Sequence, residues 1–314
     1  MKLFYLMLSV IFFVGCKNDK PKTENEAPVE KTEKNLKSTA EQTAFGIYTF
    51  TNVNDINEAY AKLKGIFDKN SSVGVVAELD HAKNAKSVGL ELNPTRAIFF
   101  GNPNLGTPLM QVNPLTGLDL PQKIVFMQIG NENKILYNDM EYLNQRYALD
   151  GHKNLGVISN TLKTLVSKSS GSTTVEHKVF EVSKHQGIIT KKSNHNYKTT
   201  LDKLLTLLQN HKALKVIAKL DHQANAKKAG LELTPSYLVV FGNPKMGSPL
   251  MQSQQSLALD LPQKMLVWEN AEGEVFVSYN DIYFLQKRHQ IEGHKKILKK
   301  ISGALDKISS SVIE

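Results

Sequence analysis

A stretch reading LDHQANAKKAGLEL at residues 220–233 decides the architecture of this chain, because residues 79–92 read LDHAKNAKSVGLEL. Matching residues such as Asp80 and Asp221 lie 141 positions apart. The similarity continues on the carboxyl side, where each copy reaches Phe-Gly-Asn-Pro and then Leu-Asp-Leu-Pro-Gln-Lys. A repeat of this length indicates two whole domains instead of the short units of a solenoid.

Each copy has the same order of predicted elements. The first copy opens with an alternating run at 46–51, typical of a strand, and continues with apolar residues at helical spacing from Ile56 to Phe67. Four further strands and a helix follow, at 140–147 in the first copy, and an amphipathic helix closes each copy. This β-α-β4-α order predicts an α+β fold of two tandem domains, each an antiparallel sheet with helices on one face. We expect each copy to fold around its own core.

Several motifs are shared by the two copies and resemble a known family. They are Asp-His-x-x-Asn-Ala, Gly-Leu-Glu-Leu, Phe-Gly-Asn-Pro, Gly-Ser/Thr-Pro-Leu-Met-Gln and Leu-Asp-Leu-Pro. As a set they look like the domain-of-unknown-function family 302, over residues 44–150 and 186–292. The resemblance implies a fold similar to one half of the TATA-binding protein. It implies no particular reaction, and the cofactor stays unknown.

The first sixteen residues have the pattern of an exported lipoprotein. Lys2 is followed by an apolar run that is shorter than the about 20 residues needed to span a bilayer, so residues 1–15 predict a signal peptide. The run ends at Gly15-Cys16, which resembles the lipobox of bacterial lipoproteins. We expect Cys16 to carry the lipid and to attach the protein to a membrane. Lys17 differs from the aspartate of inner-membrane retention signals, so the predicted location is the cell outer membrane, facing the periplasm or the surface.

The remaining sequence divides into a tether and two domains. Residues 16–43 are rich in Lys, Glu, Asn and Thr and predict a disordered tether. The first repeat domain is expected at 44–168 and the second at 186–314, with a linker at 169–185 that is rich in Ser, Gly and Thr at its start. Cys16 is the only cysteine, which excludes an internal disulfide, a catalytic thiol and a cysteine metal site.

The chain has a formal net charge of +9, which raises the question of an anionic partner. The predicted export argues against nucleic acid. The basic residues are also spread along predicted helices, as a solvated helix face would be. The partners we expect are therefore the membrane through the lipid anchor and, in addition, a small-molecule ligand.

The Asp-His pairs are the first candidates for a functional site. Asp80 and Asp221 stand where a strand turns into a short helix that ends at Gly89 or Gly230, so both fit N-cap positions. Capping leaves His81 and His222 unexplained. A neutral imidazole can act as a base or as a metal ligand. No second histidine at metal-binding spacing accompanies them, so we predict no metal site.

The segment Gly101–Thr107 has the glycines of a phosphate-binding loop but lacks the lysine of such a loop. We expect a helix start instead, with Thr107 or Ser248 as the N-cap and Pro108 or Pro249 at the first helical position. Asn138-Asp139 and its counterpart also fit helix caps, and Met110 and Met251 fit core positions.

Polar residues that persist at matching places in both copies carry the functional hypothesis. Turn and cap chemistry explains some of them, and a ligand pocket is the alternative explanation. The second copy adds two aromatic residues to that set. The candidate ligand-binding residues are Asp80, His81, Asn84, Asn102, Asp221, His222, Asn225, Asn243, Trp268 and Tyr279.

Three classes of function are open at this point. The first is a lipid-anchored binding module for a small ligand or partner, with the two repeats paired within the chain around a pseudo-two-fold axis. The second is a hydrolase that uses the Asp-His pairs. The third is a structural protein of the envelope.

Overall fold

The computed structural model describes residues 45–51, 54–171 and 174–314. The predicted signal peptide, Cys16 and the tether lie outside these residues. Within them, no helix is long and apolar enough to cross a bilayer.

Two antiparallel sheets with helices make up the structure, which confirms the predicted α+β class. The strands of the first repeat are β1 (Ile47–Thr51), β2 (Gly74–Asp80), β3 (Thr95–Gly101), β4 (Gln122–Ile129), β5 (Glu132–Asn138) and β6 (Thr174–Lys178). The strands of the second are β7 (Ile188–Lys192), β8 (Lys215–Asp221), β9 (Ser236–Gly242), β10 (Gln263–Glu269) and β11 (Val275–Asn280). The sheet orders are β2-β3-β4-β5-β1-β6 and β7-β11-β10-β9-β8.

Among the described residues, five α-helices accompany each sheet. In the first repeat they are α1 (Ile56–Asp68), α2 (His81–Lys86), α3 (Pro103–Val112), α4 (Met140–Tyr147) and α5 (Lys153–Ser170). In the second they are α6 (Tyr197–Asn210), α7 (His222–Lys228), α8 (Pro244–Ser253), α9 (Ile282–Arg288) and α10 (Lys295–Ile313). A 3₁₀ helix follows α3 at Pro114–Leu118 and follows α8 at Gln255–Leu259. We call these the first and second 3₁₀ helices.

The segment whose composition indicated a linker contains part of the first sheet. α5 continues to Ser170, and β6 then pairs antiparallel with β1. In the register of this pairing, Ile47 lies opposite Lys178 and Phe50 opposite Val175. The second sheet has no matching sixth strand among its described residues.

Asparagine-proline pairs begin α3 and α8, so the helix start predicted at Thr107 and Ser248 is wrong. Asn102 caps α3 by accepting a hydrogen bond of 3.0 Å from the amide of Asn104, and Pro103 takes the first helical position. Pro108 therefore lies inside the helix. The Asn-Pro pair supplies both the cap and the preset backbone angle at the same point, so the helix begins five residues earlier than expected.

The central strand of each sheet is covered on both faces, by helices of its own repeat and by the 3₁₀ helix of the other repeat. α1 packs on β4 and α5 packs on α1, while the second 3₁₀ helix lies against β3, β4 and β5. The first 3₁₀ helix lies in the same way against β9, β10 and β11. Burial on both faces explains why Ile124, Val125 and Phe126, which are consecutive in β4, are all 0% exposed.

The reciprocal packing gives the two repeats one common core. The buried apolar residues form a single cluster that runs from Ile47 in the first repeat to Val312 in the second. Leu257, Ala258 and Leu259 of the second 3₁₀ helix are 0% exposed and belong to this cluster. Their helix packs against the sheet of the first repeat. The expectation of two separate cores is therefore wrong.

Buried charged residues lie at the contact between the repeats. Arg146 pairs with Asp119 at 2.9 Å and also donates to the side chain of Asn280, at 2.8 Å. Arg288 pairs in the same way with Asp260 and donates to Asn138, both at 2.8 Å. Each arginine also donates to backbone carbonyls of the other copy, at Gly187 for the first and Gly46 for the second.

Candidate functional site

The aspartates of the Asp-His pairs are helix caps. Asp80 accepts a hydrogen bond of 2.8 Å from the amide of Lys83 at the start of α2, and Asp221 accepts one of 2.8 Å from the amide of Ala224 at the start of α7. The chain turns after each short helix, at Gly89 with φ +76° and at Gly230 with φ +73°. These are the left-handed positions that follow a helix, so the cap interpretation is confirmed.

The histidines are buried between the repeats, because α2 packs on α8 and α7 packs on α3. Burial lowers the pKa of His81 to about 3, and the positive charge of Lys123 acts in the same direction. Burial lowers the pKa of His222 to about 4, although its bond to Gly117 acts in the opposite direction. Both imidazoles are therefore neutral at neutral pH.

The two histidines differ in their hydrogen bonds. Nε2 of His222 lies 3.2 Å from the carbonyl oxygen of Gly117 and donates to it, since a carbonyl only accepts. Nε2 of His81 is buried and has no hydrogen-bond partner. The residue that matches Gly117 in the second repeat is Ala258. A Cβ on Gly117 would lie 3.4 Å from Nε2 of His222, so a glycine at this position leaves room for the close approach of the ring.

A cavity of about 290 Å³ lies beside His81. Its walls come from α2 of the first repeat and from β8, β9, α8 and α10 of the second, and we call it the inter-repeat cavity. Most of the wall is apolar, with Leu79, Phe241 and Leu305 among its residues. Besides His81, two wall residues have a buried polar atom without a partner: Ser248 at Oγ and Gln263 at Nε2.

Two hydrogen bonds of the first repeat have no counterpart between the helices that border this cavity. Pro108 has no amide hydrogen, which leaves the carbonyl of Asn104 free inside α3. The side chain of Asn154, in α5, donates to that carbonyl at 3.5 Å and to the carbonyl of Leu105 at 3.1 Å, so α5 is held against α3. Counted from the matching Gly-His pairs, the second repeat has Lys296 in place of Asn154. α10 therefore lacks this bond to α8, and the cavity lies between them.

The predicted site residues are distributed over several places. His81, Asn84 and Asn243 line the inter-repeat cavity, and Asn243 also caps α8 by accepting from the amide of Lys245 at 2.9 Å. Asn102 caps α3. His222 and Asn225 lie on α7 at the opposite contact between the repeats, where the carbonyl of Gly117 occupies Nε2 of the histidine.

The two aromatic candidates lie away from this cavity. Trp268 stacks on Phe276 with a centroid distance of 4.7 Å, donates to Ser278, and borders a separate groove beside Met110 of α3. Tyr279 is 2% exposed in β11, where its hydroxyl bonds Ser309 of α10. The two aromatics therefore do not lie together with the histidine pairs.

Sequence reasoning missed several wall residues. Ser248 and Gln263 were inside shared motifs, and the repetition of Leu-Pro-Gln-Lys was the available signal for the glutamine. Lys215 and the α10 residues around Lys300 carry no such signal, because the matching residues differ in the first repeat.

The polar groups of the cavity wall do not form a nucleophile-base pair in this structure. Activation of a serine requires a hydrogen bond to a base, whereas Ser248 Oγ and His81 Nε2 are both without partners and so are not joined to each other. Asp80 is occupied by its cap. In the part of the chain that the structure describes, no three His, Cys, Asp or Glu side chains converge to hold a metal ion.

Comparison with known proteins identifies matches to each repeat. A family model described as "Domain of unknown function DUF302" matches residues 48–167 and 189–308. A solved structure of an uncharacterized conserved DUF302 protein from Bacillus stearothermophilus is similar at 16% identity and a TM-score of 0.37, covering 40% of this chain and 98% of that one.

Curated relatives match over a shorter region. The "Fluoride-specific ion channel FluC 1" of Brucella suis is 37% identical over 105 residues, which are 33% of this chain and 41% of the channel protein. The protein of the same description from Brucella abortus is also 37% identical over 105 residues and is covered to 38%. The chain thus spans less than half the length of these relatives.

Proposed function

The chain belongs to the family described as Domain of unknown function DUF302, of which it contains two tandem copies, and we propose that it binds one small, mainly apolar ligand in the inter-repeat cavity. The ligand has a polar group that reaches His81. One repeat alone would not form this site, because His81 comes from the first repeat and most of the wall from the second.

The observation that carries the proposal is the unpartnered Nε2 of His81 beside an apolar cavity. A buried polar atom without a partner costs about 1 to 3 kcal/mol, and the matching atom of His222 avoids that cost through Gly117. A ligand hydroxyl or carbonyl would provide the missing bond to His81. Burial of its apolar part against Phe241 and Leu305 would supply most of the affinity.

The test is binding of the uncharged fluorescent probe N-phenyl-1-naphthylamine, displaced by 1-decanol. The assay uses the full chain with Cys16→Ser. Without the proposed lipid anchor the protein is prepared without detergent, which would compete for the cavity. Ala304→Trp places a bulky side chain at an exposed position of the cavity wall and should weaken binding of the probe at least tenfold. Lys307→Trp puts the same side chain on an exposed position of α10 outside the wall and should leave binding unchanged.

The histidines provide a second matched pair. His81→Ala should lower the affinity for 1-decanol severalfold, because the alcohol loses its polar partner. His222→Ala removes the bond to Gly117 and should lower stability without changing the affinity. Equal effects of Ala304→Trp and Lys307→Trp, together with equal effects of the two histidine variants, would contradict the proposal.

We also propose that the protein is a lipoprotein attached to the outer membrane through Cys16. The support is the apolar run that ends at Gly15-Cys16, outside the described residues. Cys16→Ser should move the protein from the membrane pellet to the soluble fraction of a cell lysate. A variant that still sediments with membranes would refute the anchor without affecting the proposal about the cavity.

A further inference from the structure

The charged side chains on the wall of the inter-repeat cavity have one sign. Lys215, at the start of β8, and Lys300, on α10, both line the cavity and are exposed, as is His211 in the turn before β8. In the described part of the chain, no Asp or Glu belongs to this wall. These exposed groups mark the mouth of the cavity, and an anionic group placed there would be attracted.

The two lysines of the mouth have no carboxylate that would compete with a ligand. Lys191, by contrast, pairs with Asp306 on α10 at 2.6 Å. Within residues 174–314, neither Lys215 nor Lys300 has an acidic partner within salt-bridge distance. Both ammonium groups are therefore available to a ligand.

The interior of the cavity has the opposite character. Leu79, Phe241, Met251 and Leu305 supply apolar walls, and His81 is neutral. A charged group would lose its hydration there without gaining a counter-charge. The polar atoms inside suit an uncharged hydrogen-bonding group, so the two ends of the cavity favour different parts of one molecule.

We propose that the ligand is a single-chain amphiphile whose acidic head group lies at the mouth between Lys215 and Lys300, while its chain fills the cavity and carries the uncharged polar group that reaches His81. The inference rests on the proposed function and adds the chemical class of the ligand. A volume of about 290 Å³ is at the lower end of the range for small-molecule sites, which suits one chain better than the two chains of a phospholipid.

The test compares 10-hydroxydecanoate with 1-decanol, in which a methyl group replaces the carboxylate, by calorimetry on the full chain carrying Cys16→Ser. At low salt we expect the hydroxy acid to bind about tenfold more tightly, since each exposed ion pair contributes up to about fivefold. Added salt should reduce this preference. 8-Hydroxyoctanoate should bind about fifteenfold more weakly than 10-hydroxydecanoate, because each buried methylene contributes about fourfold.

The matched variants remove two charges at different places. Lys215→Gln with Lys300→Gln should abolish the preference for the acid and leave the affinity for the alcohol unchanged. The control, Lys219→Gln with Lys299→Gln, has the same net charge and changes exposed lysines of the same two elements that are not on the wall. It should keep the preference.

The outcomes separate this inference from the proposed function. If neither the acid nor the alcohol binds, the proposed function fails and this inference fails with it. If both bind equally, or if the preference survives in the Lys215 and Lys300 variant, the inference is overturned while the cavity still binds apolar ligands. A third arm uses vesicles of phosphatidylcholine and phosphatidylglycerol. Vesicle binding that needs both lysines, without any preference for the free acid, would assign the mouth to a membrane surface and also overturn the inference.

Discussion

The guanidinium of Arg146, in the first repeat, donates a hydrogen bond of 2.8 Å to the side-chain oxygen of Asn280, in the second. Arg288 and Asn138 make the same bond in the opposite direction between the repeats, also at 2.8 Å. Both arginines are 0% exposed. Each repeat therefore supplies a donor to the other, and the pairing of the repeats is built from buried, directional bonds as well as from apolar contact.

Replacement of Arg146 should destabilise the protein strongly. Arg146→Met leaves the buried carboxylate of Asp119 with fewer partners and Asn280 without its donor, so we expect a loss of about 3 to 5 kcal/mol in the free energy of unfolding. Arg96→Met is the matched control, because Arg96 lies over the ring of Tyr60 and should cost about 1 kcal/mol or less. Urea denaturation measures both. A loss at Arg146 as small as that at Arg96 would contradict the role of the buried pair.

Local sequence patterns predicted most elements of this fold. Met140–Tyr147 is the helix expected from its apolar spacing, and Asp80 caps the helix that its position indicated. These features depend on residues close in sequence, whose backbone chemistry is the same in every context. Pro108 shows the limit of such reasoning. It was expected at the first position of the helix, but the helix begins at Pro103, after the cap Asn102.

Some of the polar residues that persist in both copies form contacts between the repeats. Gln111 donates to the carbonyl of Glu232 at 2.6 Å, and Gln252 donates to the carbonyl of Glu91 at 2.5 Å, so these retained residues join the repeats. Arg146 and Arg288 persist at matching places as well. A sequence does not show which face of a helix another domain will cover. The burial of an arginine near the end of a helix could therefore not be predicted.

The copies differ beside the cavity, and this difference could not be predicted from what they share. Asn154 holds α5 on α3, and the matching Lys296 does not hold α10 on α8. The role of Asn154 is visible only once the carbonyl freed by Pro108 is located in space.

The isolated second repeat should not fold as a stable monomer. In the chain, the first 3₁₀ helix, Pro114–Leu118, covers one face of the second sheet, and Arg288 donates to the carbonyls of Phe45 and Gly46. Residues 186–314 alone would expose that face and leave a buried arginine without these partners. We expect no cooperative thermal transition by circular dichroism, and recovery of the transition when residues 44–185 are added. A monomeric fragment that melts cooperatively at the temperature of the full chain would contradict the common core.

The aspartates of the shared motif should affect stability and not binding. Asp80→Ala and Asp221→Ala each remove an N-cap, which costs about 1 kcal/mol. Neither carboxylate provides a bond to the proposed ligand, so the affinity for 10-hydroxydecanoate should stay within about twofold of the unmodified protein. Calorimetric titration and urea denaturation of the same samples measure the two effects. A loss of binding without a loss of stability at Asp80 would return this residue to the functional site.

Lys123 and Lys264 occupy matching places and should respond in opposite ways to replacement by methionine. Lys264 pairs with Asp119 at 2.8 Å, whereas Asp260 Oδ1, the matching acceptor, has no partner. Lys123 donates instead to the carbonyl of Leu261 at 3.4 Å and lies 4.8 Å from the centroid of the Phe99 ring. Burial lowers the pKa of Lys123 to about 7, with a contribution from the positive charge of Lys264. Lys264→Met should cost about 3 kcal/mol, because it leaves Asp119 less well compensated.

The pH dependence of Lys123→Met distinguishes it from its counterpart. In the unfolded chain a lysine keeps its proton up to about pH 10, whereas folded Lys123 releases it near pH 7. Below that value the folded state carries the cost of a buried charge, and the cost is relieved as the pH rises from about 7 to about 10. Lys123→Met should therefore be more stable than the unmodified protein by roughly 2 to 4 kcal/mol at about pH 6, and the advantage should shrink by about half at about pH 9. Urea denaturation at both values measures the difference, and an advantage that does not change with pH would show that Lys123 stays charged in the folded protein.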